Sequence, residues 1–280
     1  MRLSFCSFSS GSSGNCYFIK TETTALLVDA GISGRKILKG LSQVGVLPEE
    51  VNGILMTHEH SDHVKSIRVL SKKLAAADFF ASGGTWEQVM NQIPEAQIPE
   101  VRRKTAAAGE TFLIGDIRVT PFRLSHDAAE PIGYSFEAGG RGISIVTDTG
   151  CITEEIHQAV RFSDLLVLEA NHDIQMLEFC RYPYSVKRRI LGDFGHLSNE
   201  AAAEEICRIC TETGGYREIL LAHLSRENNF PEMAYQTVRN LLEERGLRIG
   251  RHLELHVIGR EELSPVFLLD GEAETKETRG

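Results

Sequence analysis

Six consecutive residues, His58-Glu59-His60-Ser61-Asp62-His63, constrain this chain more than any other feature. They follow directly on the apolar run Gly53-Ile-Leu-Met-Thr57, which reads as a strand, so four strong metal ligands share one tight loop. In a loop, residues two apart can turn toward a common centre while their neighbours face away. Three imidazoles and one carboxylate so placed suit a pair of cations, the nitrogens supplying neutral bonds and the carboxylate offsetting charge. Three more polar residues end apolar strands or sit just past one: His126 after Thr120-Pro-Phe-Arg-Leu-Ser125, Asp148 after Ile143-Ser-Ile-Val-Thr147, and His223 after Ile219-Leu-Leu-Ala222. A fold that serves all of them must gather strand ends along one edge.

The rest of the chain has the grammar for that. Strands are expected at 15–19, 25–29, 53–57, 78–81, 111–114, 117–123, 133–137, 143–147, 164–168, 218–222 and 253–258. Helices are expected at 34–43, 64–74, 153–161, 198–212 and 231–245. Each half contributes both types, which predicts a mixed α/β (α+β) fold with helices packed outside a sheet sandwich. No repeat and no Pro/Gly linker divides it, so one domain is expected over 1–265, with a disordered polar tail at 271–280. No apolar run reaches the roughly 18 residues of a membrane span, and the N-terminus turns Gly/Ser-rich too early for a secretion signal. Six cysteines in 280 residues are too sparse for a disulfide framework. A cytoplasmic protein without membrane insertion is therefore expected. Thirty Lys and Arg against 39 Asp and Glu give a net charge of −9. That excludes a generally basic, nucleic-acid-coating protein but not a local basic strip.

His58, His60, Asp62 and His63 form the HxHxDH signature of the metallo-β-lactamase superfamily, and the chain resembles that superfamily from about residue 1 to 265. His126, Asp148 within Thr147-Asp148-Thr149-Gly150, and His223 are similar to its later motifs. The resemblance implies a four-layer αβ/βα sandwich with two divalent metal ions at one edge. His58, His60 and His126 would hold one ion, and Asp62, His63 and His223 the other, with Asp148 bridging. Zn, Mn and Fe all accept such mixed N/O ligands. Two departures narrow the branch. Flavodiiron oxygen reductases generally carry Glu where this chain has His60, and classical β-lactamases put Cys where it has Asp148.

Paired cations acidify a shared water into a hydroxide nucleophile and neutralise phosphoester oxygens. The leaving alkoxide still needs a proton. His196, in Gly195-His196-Leu197-Ser198-Asn199 at the mouth of the 198–212 helix, is the candidate general acid. Glu169, at the end of a buried strand, is the candidate to orient it. Asp62 counts as a catalytic group as well as a ligand. The Glu-Ala-Asn, Gly-His-Leu-Ser and Ala-His-Leu-Ser strings resemble the phosphodiesterase branch that includes tRNase Z. The short stretch from His126 to Asp148 leaves no room for a tRNA-gripping arm, and that from Asp148 to His223 none for a β-CASP domain. The chain is most similar to the compact bacterial WalJ/YycJ type, through Ser9-Ser-Gly-Ser-Ser-Gly-Asn15-Cys16, Glu169-Ala-Asn-His-Asp173 and Ala222-His-Leu-Ser-Arg-Glu-Asn-Asn229. That resemblance implies a 5′-to-3′ DNA exonuclease. The alternative is a metal-dependent hydrolase of a cyclic nucleotide, phosphonate ester or thioester, and a non-enzymatic binding module is the third reading.

Substrate contacts are sought near these motifs. Arg181-Tyr-Pro-Tyr-Ser-Val-Lys187-Arg188-Arg189 joins phosphate-seeking cations, Arg181, Lys187 and Arg188 among them, to rings that can stack on bases. The same run also reads as a solvated helix face whose Tyr182 and Tyr184 anchor the core. The Ser/Gly loop at 9–14, with Ser12 and the neighbouring Asn15, either offers backbone N–H groups to a terminal phosphate or is a plain turn. Arg226, Asn228 and Asn229, just past His223, are placed to touch substrate. Arg102-Arg-Lys104 reads as surface charge, His157 as a surface or strand residue, and Cys207 and Cys210 as buried helix thiols.

Overall fold

The computed structural model describes residues 1–93 and 98–271, and in it the short apolar strands pair into two seven-stranded sheets. The first runs, from edge to edge, β14 (Phe267–Asp270), β1 (Arg2–Ser9), β2 (Cys16–Lys20), β3 (Ala25–Val28), β4 (Val51–Leu55), β5 (Asp78–Ala81) and β6 (Arg103–Thr105). The second runs β13 (Glu254–Val257), β12 (Glu218–Ala222), β11 (Leu165–Glu169), β10 (Arg141–Val146), β9 (Ile132–Ala138), β8 (Ile117–Arg123) and β7 (Phe112–Ile114).

Alternation along single strands sets the layers. Leu26 and Val28 of β3 point between the sheets, where they join Phe5, Tyr17, Leu55, Ile143, Ile145, Leu165 and Val167. Leu27 points the other way, into a core shared with Ile37 and Leu41 of α1 (Gly34–Gln43) and with Val64, Ile67 and Leu70. Those last three come from two short helices, α2 (Ser61–Val64) and α3 (Ile67–Lys73), where one helix over 64–74 was expected. α4 (Gly83–Gln92) completes that side, burying Val89 in the same core. Behind the second sheet, Leu166, Leu168, Ile219 and Leu221 pack on α5 (Glu154–Val160), α8 (Asn199–Thr213) and α9 (Pro231–Glu244). The layers are thus αβ/βα, as the resemblance implied.

Parallel pairing aligns the chemistry. β10 to β11 to β12 run parallel, with Val146 beside Leu168 and Glu169 beside Ala222, so Asp148, Glu169 and His223 emerge at one edge. β3 and β4 are parallel too, with Val28 beside Leu55, which puts Asp29 near Thr57 and His58. Carboxyl ends of parallel strands are where α/β folds place their ligands.

Several expectations need correction. β1 was not foreseen, because its serines mask two apolar sets: Leu3 and Phe5 enter the inter-sheet core, Cys6 and Phe8 the helix side. β14 pairs antiparallel with β1, so the sheet continues to Asp270, past the expected limit at 265. The expected tail lies, from residue 272, outside the described residues. Arg102 is not idle surface charge. Its guanidinium donates to the carbonyls of Ser71, Leu74 and Ala77 and closes the end of α3. His157 is fully buried, its ring nitrogens 2.8 Å from Glu205 and 2.8 Å from Glu212. All six cysteines are free, with Cys207 and Cys210 buried on α8 as expected. No helix among the described residues is long and apolar enough to cross a membrane.

Candidate metal centre

The loop after β4 delivers its ligands by backbone hydrogen bonds. His63 N and Val64 N donate to His60 O, turning the chain into α2. Gly31 passes so close beneath that a Cβ there would sit 1.5 Å from the Asp62 carbonyl oxygen, so only glycine fits. His58 Nε2 and His60 Nδ1 face one another at 3.0 Å, and the His126 ring lies about 5 Å from both, at 5.1 and 5.2 Å between centroids. These three offer ligand atoms within 4.8 Å of each other, and so do Asp62, His63 and His223. Asp148 stands between the two groups. Its Oδ2 lies 3.2 Å from His63 Nε2, and its Oδ1 lies 3.5 Å from His223 Nε2 and 3.9 Å from His126 Nε2.

The far side of four of the five rings is spoken for, while His60 turns its Nδ1 inward toward His58. His58 Nδ1 meets Thr57 Oγ1 at 3.0 Å, and His126 Nδ1 donates to Gly195 O at 3.1 Å. His63 Nδ1 meets Asp29 Oδ2 at 2.8 Å, and His223 Nδ1 meets Glu169 Oε1 at 2.8 Å. An imidazole anchored through Nδ1 presents Nε2 toward the centre, which is how proteins prepare metal-binding histidines. His223 Nε2 and Asp148 Oδ2 are buried without hydrogen-bond partners, an arrangement that costs stability unless a ligand satisfies it. The residues therefore fit divalent cations.

Charge follows the same plan. Burial, with His63 close by, holds His58 well below its ordinary range, and burial likewise lowers His126, so both keep a free lone pair. Burial would raise the Asp148 carboxyl, but His223 and His63 outweigh it and hold the group well below the carboxylate range. His63 is raised despite its burial by Asp29 and Asp148, and His223 by Asp148 and Glu169. Protons there are the ones a cation would displace.

Three non-glycine residues among those described have left-handed backbone: Asp29 at φ 62°, Asp148 at 62° and His223 at 55°. Each costs roughly 1 kcal/mol or more, and all three end strands at this edge. Asp29 was missed in the sequence. It terminates the apolar run Leu26-Leu-Val28, the same signal that marked Asp148, but it belongs to neither ligand triad. It accepts from Thr57 N at 2.9 Å and braces His63. Asp29→Asn, which keeps the backbone conformation, is expected to weaken metal affinity about 10- to 100-fold in a titration against a competing chelator. Unchanged affinity would remove Asp29 from the centre.

Glu169 does more than expected. Its Oε1 takes both His196 Nδ1 and His223 Nδ1 at 2.8 Å, and its Oε2 accepts from Thr149 N at 2.8 Å. Burial opposes its charge, yet His196 and His223 pull its carboxyl down to about 2. Burial also opposes charge on His196, and the Glu169 carboxylate overrides it, pushing the imidazole up to about 9. The His196 side chain keeps 22% exposure, so it is fixed from behind and open in front.

The expected substrate residues divide. Arg181, Arg188 and Arg226 are exposed, Lys187 is half-buried, and Ser12 sits exposed at a turn. Asn15 is instead buried, its amide 3.0 Å from His63 Nε2 and its oxygen accepting from Gly11 N. The Ser/Gly loop spends its Gly11, Gly14 and Asn15 amides internally, and Ser10 Oγ accepts from His223 N, so the loop buttresses the centre. Asn229 is also committed, donating to Ala170 O and to Asn199 Oδ1. Asn228 is buried with both side-chain polar atoms unpartnered, as are both ring nitrogens of His172. Tyr184 is 76% exposed and Tyr182 half-buried, so Tyr184 does not anchor the core.

Comparison with known proteins agrees with this geometry. Residues 24–223 match the model of the Beta-lactamase superfamily domain. The chain is 40% identical over 256 residues to "Exodeoxyribonuclease YycJ" of Bacillus anthracis, covering 91% of this chain and 95% of that one. It is 37% identical over 257 residues to "Exodeoxyribonuclease WalJ" of Streptococcus pneumoniae, covering 92% and 94%. The metallo-beta-lactamase fold protein YhfI from Bacillus subtilis superposes with a TM-score of 0.68 over 96% of this chain and 99% of that one, at 15% identity.

Proposed function

The chain belongs to the beta-lactamase superfamily, and from that premise we propose that it is a metal-dependent nuclease, a 5′-to-3′ exonuclease acting on DNA in the cytoplasm. One observation carries the reading: Asp148 stands between two ligand triads, with a Glu169-held His196 at their rim. The names of the two relatives support the substrate class.

His58, His60 and His126 would hold one divalent ion, and Asp62, His63 and His223 the other, with Asp148 between them. When bound, such a pair acidifies water for attack and neutralises charge on a phosphodiester, and Zn, Mn and Fe all suit the donor set. The chain's own residues supply the rest. His196 is protonated at neutral pH, and Glu169 fixes its ring through Nδ1, so the free edge can hand a proton to the departing 3′-oxygen. Asp62, 25% exposed, is a ligand that also meets solvent and so can serve as a catalytic group as well. Arg226, Arg181, Lys187 and Arg188 attract backbone phosphates, with Ser12 and Asn228 as further contacts.

The test is direct. Metal-loaded protein is incubated with 5′- and 3′-labelled single- and double-stranded DNA and RNA, and with a small aryl phosphodiester. Release of mononucleotides from the 5′ end of DNA is expected. Cleavage of the small diester alone would replace the nuclease reading with that of a small-molecule hydrolase.

A further inference from the structure

One part of the molecule stands apart from all three cores. α6 (Ile174–Phe179) buries Leu177 alone, and α7 (Tyr184–Ile190) buries no residue. The surface they leave outside is aromatic: Phe179 is 87% exposed, Tyr184 76% and, in the turn that follows, Phe194 64%. Large apolar side chains left exposed in this way are a signal of a binding surface.

The same surface is cationic in a chain that is acidic overall. Arg181 and Arg188 have no ion pair among the described residues. Lys187 Nζ donates to the Glu178 carbonyl at 2.6 Å, a neutral acceptor that leaves its charge uncompensated. Tyr182, Tyr184, Lys187, Arg188 and Leu191, with Glu178, line a cavity of about 540 Å³, large enough for a nucleotide.

This hairpin is tied rigidly to the candidate metal centre. His196 N donates to Ile190 O at 3.0 Å, and Asp127 N, beside His126, donates to Phe194 O at 3.1 Å. Arg189 Nε donates to Asp127 Oδ2 at 2.5 Å. Gly195, whose carbonyl anchors His126, runs so close to α7 that a Cβ would lie 2.2 Å from Arg189 O. The segment that lines the cavity thus leads directly, through backbone hydrogen bonds, to His196.

We propose that this groove binds an unpaired stretch of DNA, with bases stacked on Tyr182 and Tyr184 and phosphates on Arg181, Lys187 and Arg188. The inference rests on the nuclease reading and adds the form in which the strand arrives. Cations alone would serve a duplex equally well. Exposed rings beside them serve a strand whose base faces are free, since paired bases hide those faces in their own stack.

Binding without cleavage isolates the claim. Full-length protein in EDTA is titrated into fluorescein-labelled DNA as single strand, blunt duplex and duplex with a 5′ overhang, read by anisotropy. Tyr184→Ala is expected to weaken single-strand and overhang binding about tenfold and to leave the blunt duplex unchanged, while Tyr184→Phe retains wild-type affinity. The Arg181→Glu, Arg188→Glu double variant is expected to weaken all three and to reduce the slope of log affinity against log salt on single strand by about 1.4. 2-Aminopurine in the strand should lose its quenching on Tyr184→Ala. Equal single-strand affinity of Tyr184→Ala and wild type, or an equal loss on blunt duplex, would overturn the proposal and leave this face to a protein partner. Cleavage enters none of these readings. Ring-dependent binding without cutting by the metal-loaded protein would sink the nuclease reading alone, and cutting with ring-independent binding would sink this one alone.

Discussion

Asp148→Asn is expected to yield a folded protein that binds fewer than two metal ions and turns over at least about a thousandfold more slowly. Asp148 lies within reach of both triads, its two oxygens 3.2 to 3.9 Å from His63, His223 and His126. Losing any single histidine removes one bond from one ion, whereas losing this carboxylate removes a bond from each, along with the negative charge that lets two cations lie close together. Asparagine is the informative substitution because Asp148 sits at φ 62°. Alanine would add backbone strain there, while asparagine tolerates left-handed conformation nearly as well as aspartate does. Metal content is read by elemental analysis after dialysis, folding by the thermal midpoint in EDTA, and turnover on labelled DNA. A variant with two ions per chain and wild-type turnover would show that Asp148 does not bridge.

The sequence disclosed what lies at strand ends and in local order. His58 to His63 were legible because their spacing is itself the chemistry, and Asp148 and His223 because a polar residue closing an apolar parallel strand has few other reasons to be there. What escaped were the groups that act through partners distant in the chain. Asn15 reads as a phosphate contact or a turn residue, yet it faces His63, and Ser10 supports His223 from more than 200 positions away. Asn229 sits within a string that invites a substrate role, but three inward hydrogen bonds occupy its amide nitrogen. Glu169 was visible as a partner for His196. That the same oxygen also holds His223 depends on the register of β11 against β12, which no local pattern encodes. β1 was missed, and α7 was read only as one of two alternatives, for opposite reasons. β1 feeds two cores at once and so blurs its alternation, while α7 feeds none and shows no apolar stripe.

That shared oxygen makes the second large effect separable from the first. His196→Ala is expected to keep its full complement of metal and to lose about 10²- to 10⁴-fold in turnover on DNA, because His196 contributes a proton and no bond to either triad. The loss should shrink sharply on a nucleotide ester of an acidic phenol, whose leaving group departs as the anion and needs no proton. Glu169→Gln should behave differently. Without the carboxylate, His196 loses the interaction that overrides its burial, so its pKa falls from about 9. The protonated form required of an acid is then lost at lower pH, and the alkaline limb of the rate profile moves down. His223 loses its anchor in the same substitution, so metal affinity should drop about 10- to 100-fold, an effect that His196→Ala must not show. The double variant should lose little more turnover than the worse single variant once metal is saturating, since the two residues act as one unit. Wild-type turnover by His196→Ala on DNA would remove the general acid from this site. An alkaline limb unmoved by Glu169→Gln would leave Glu169 as a brace for His223 alone.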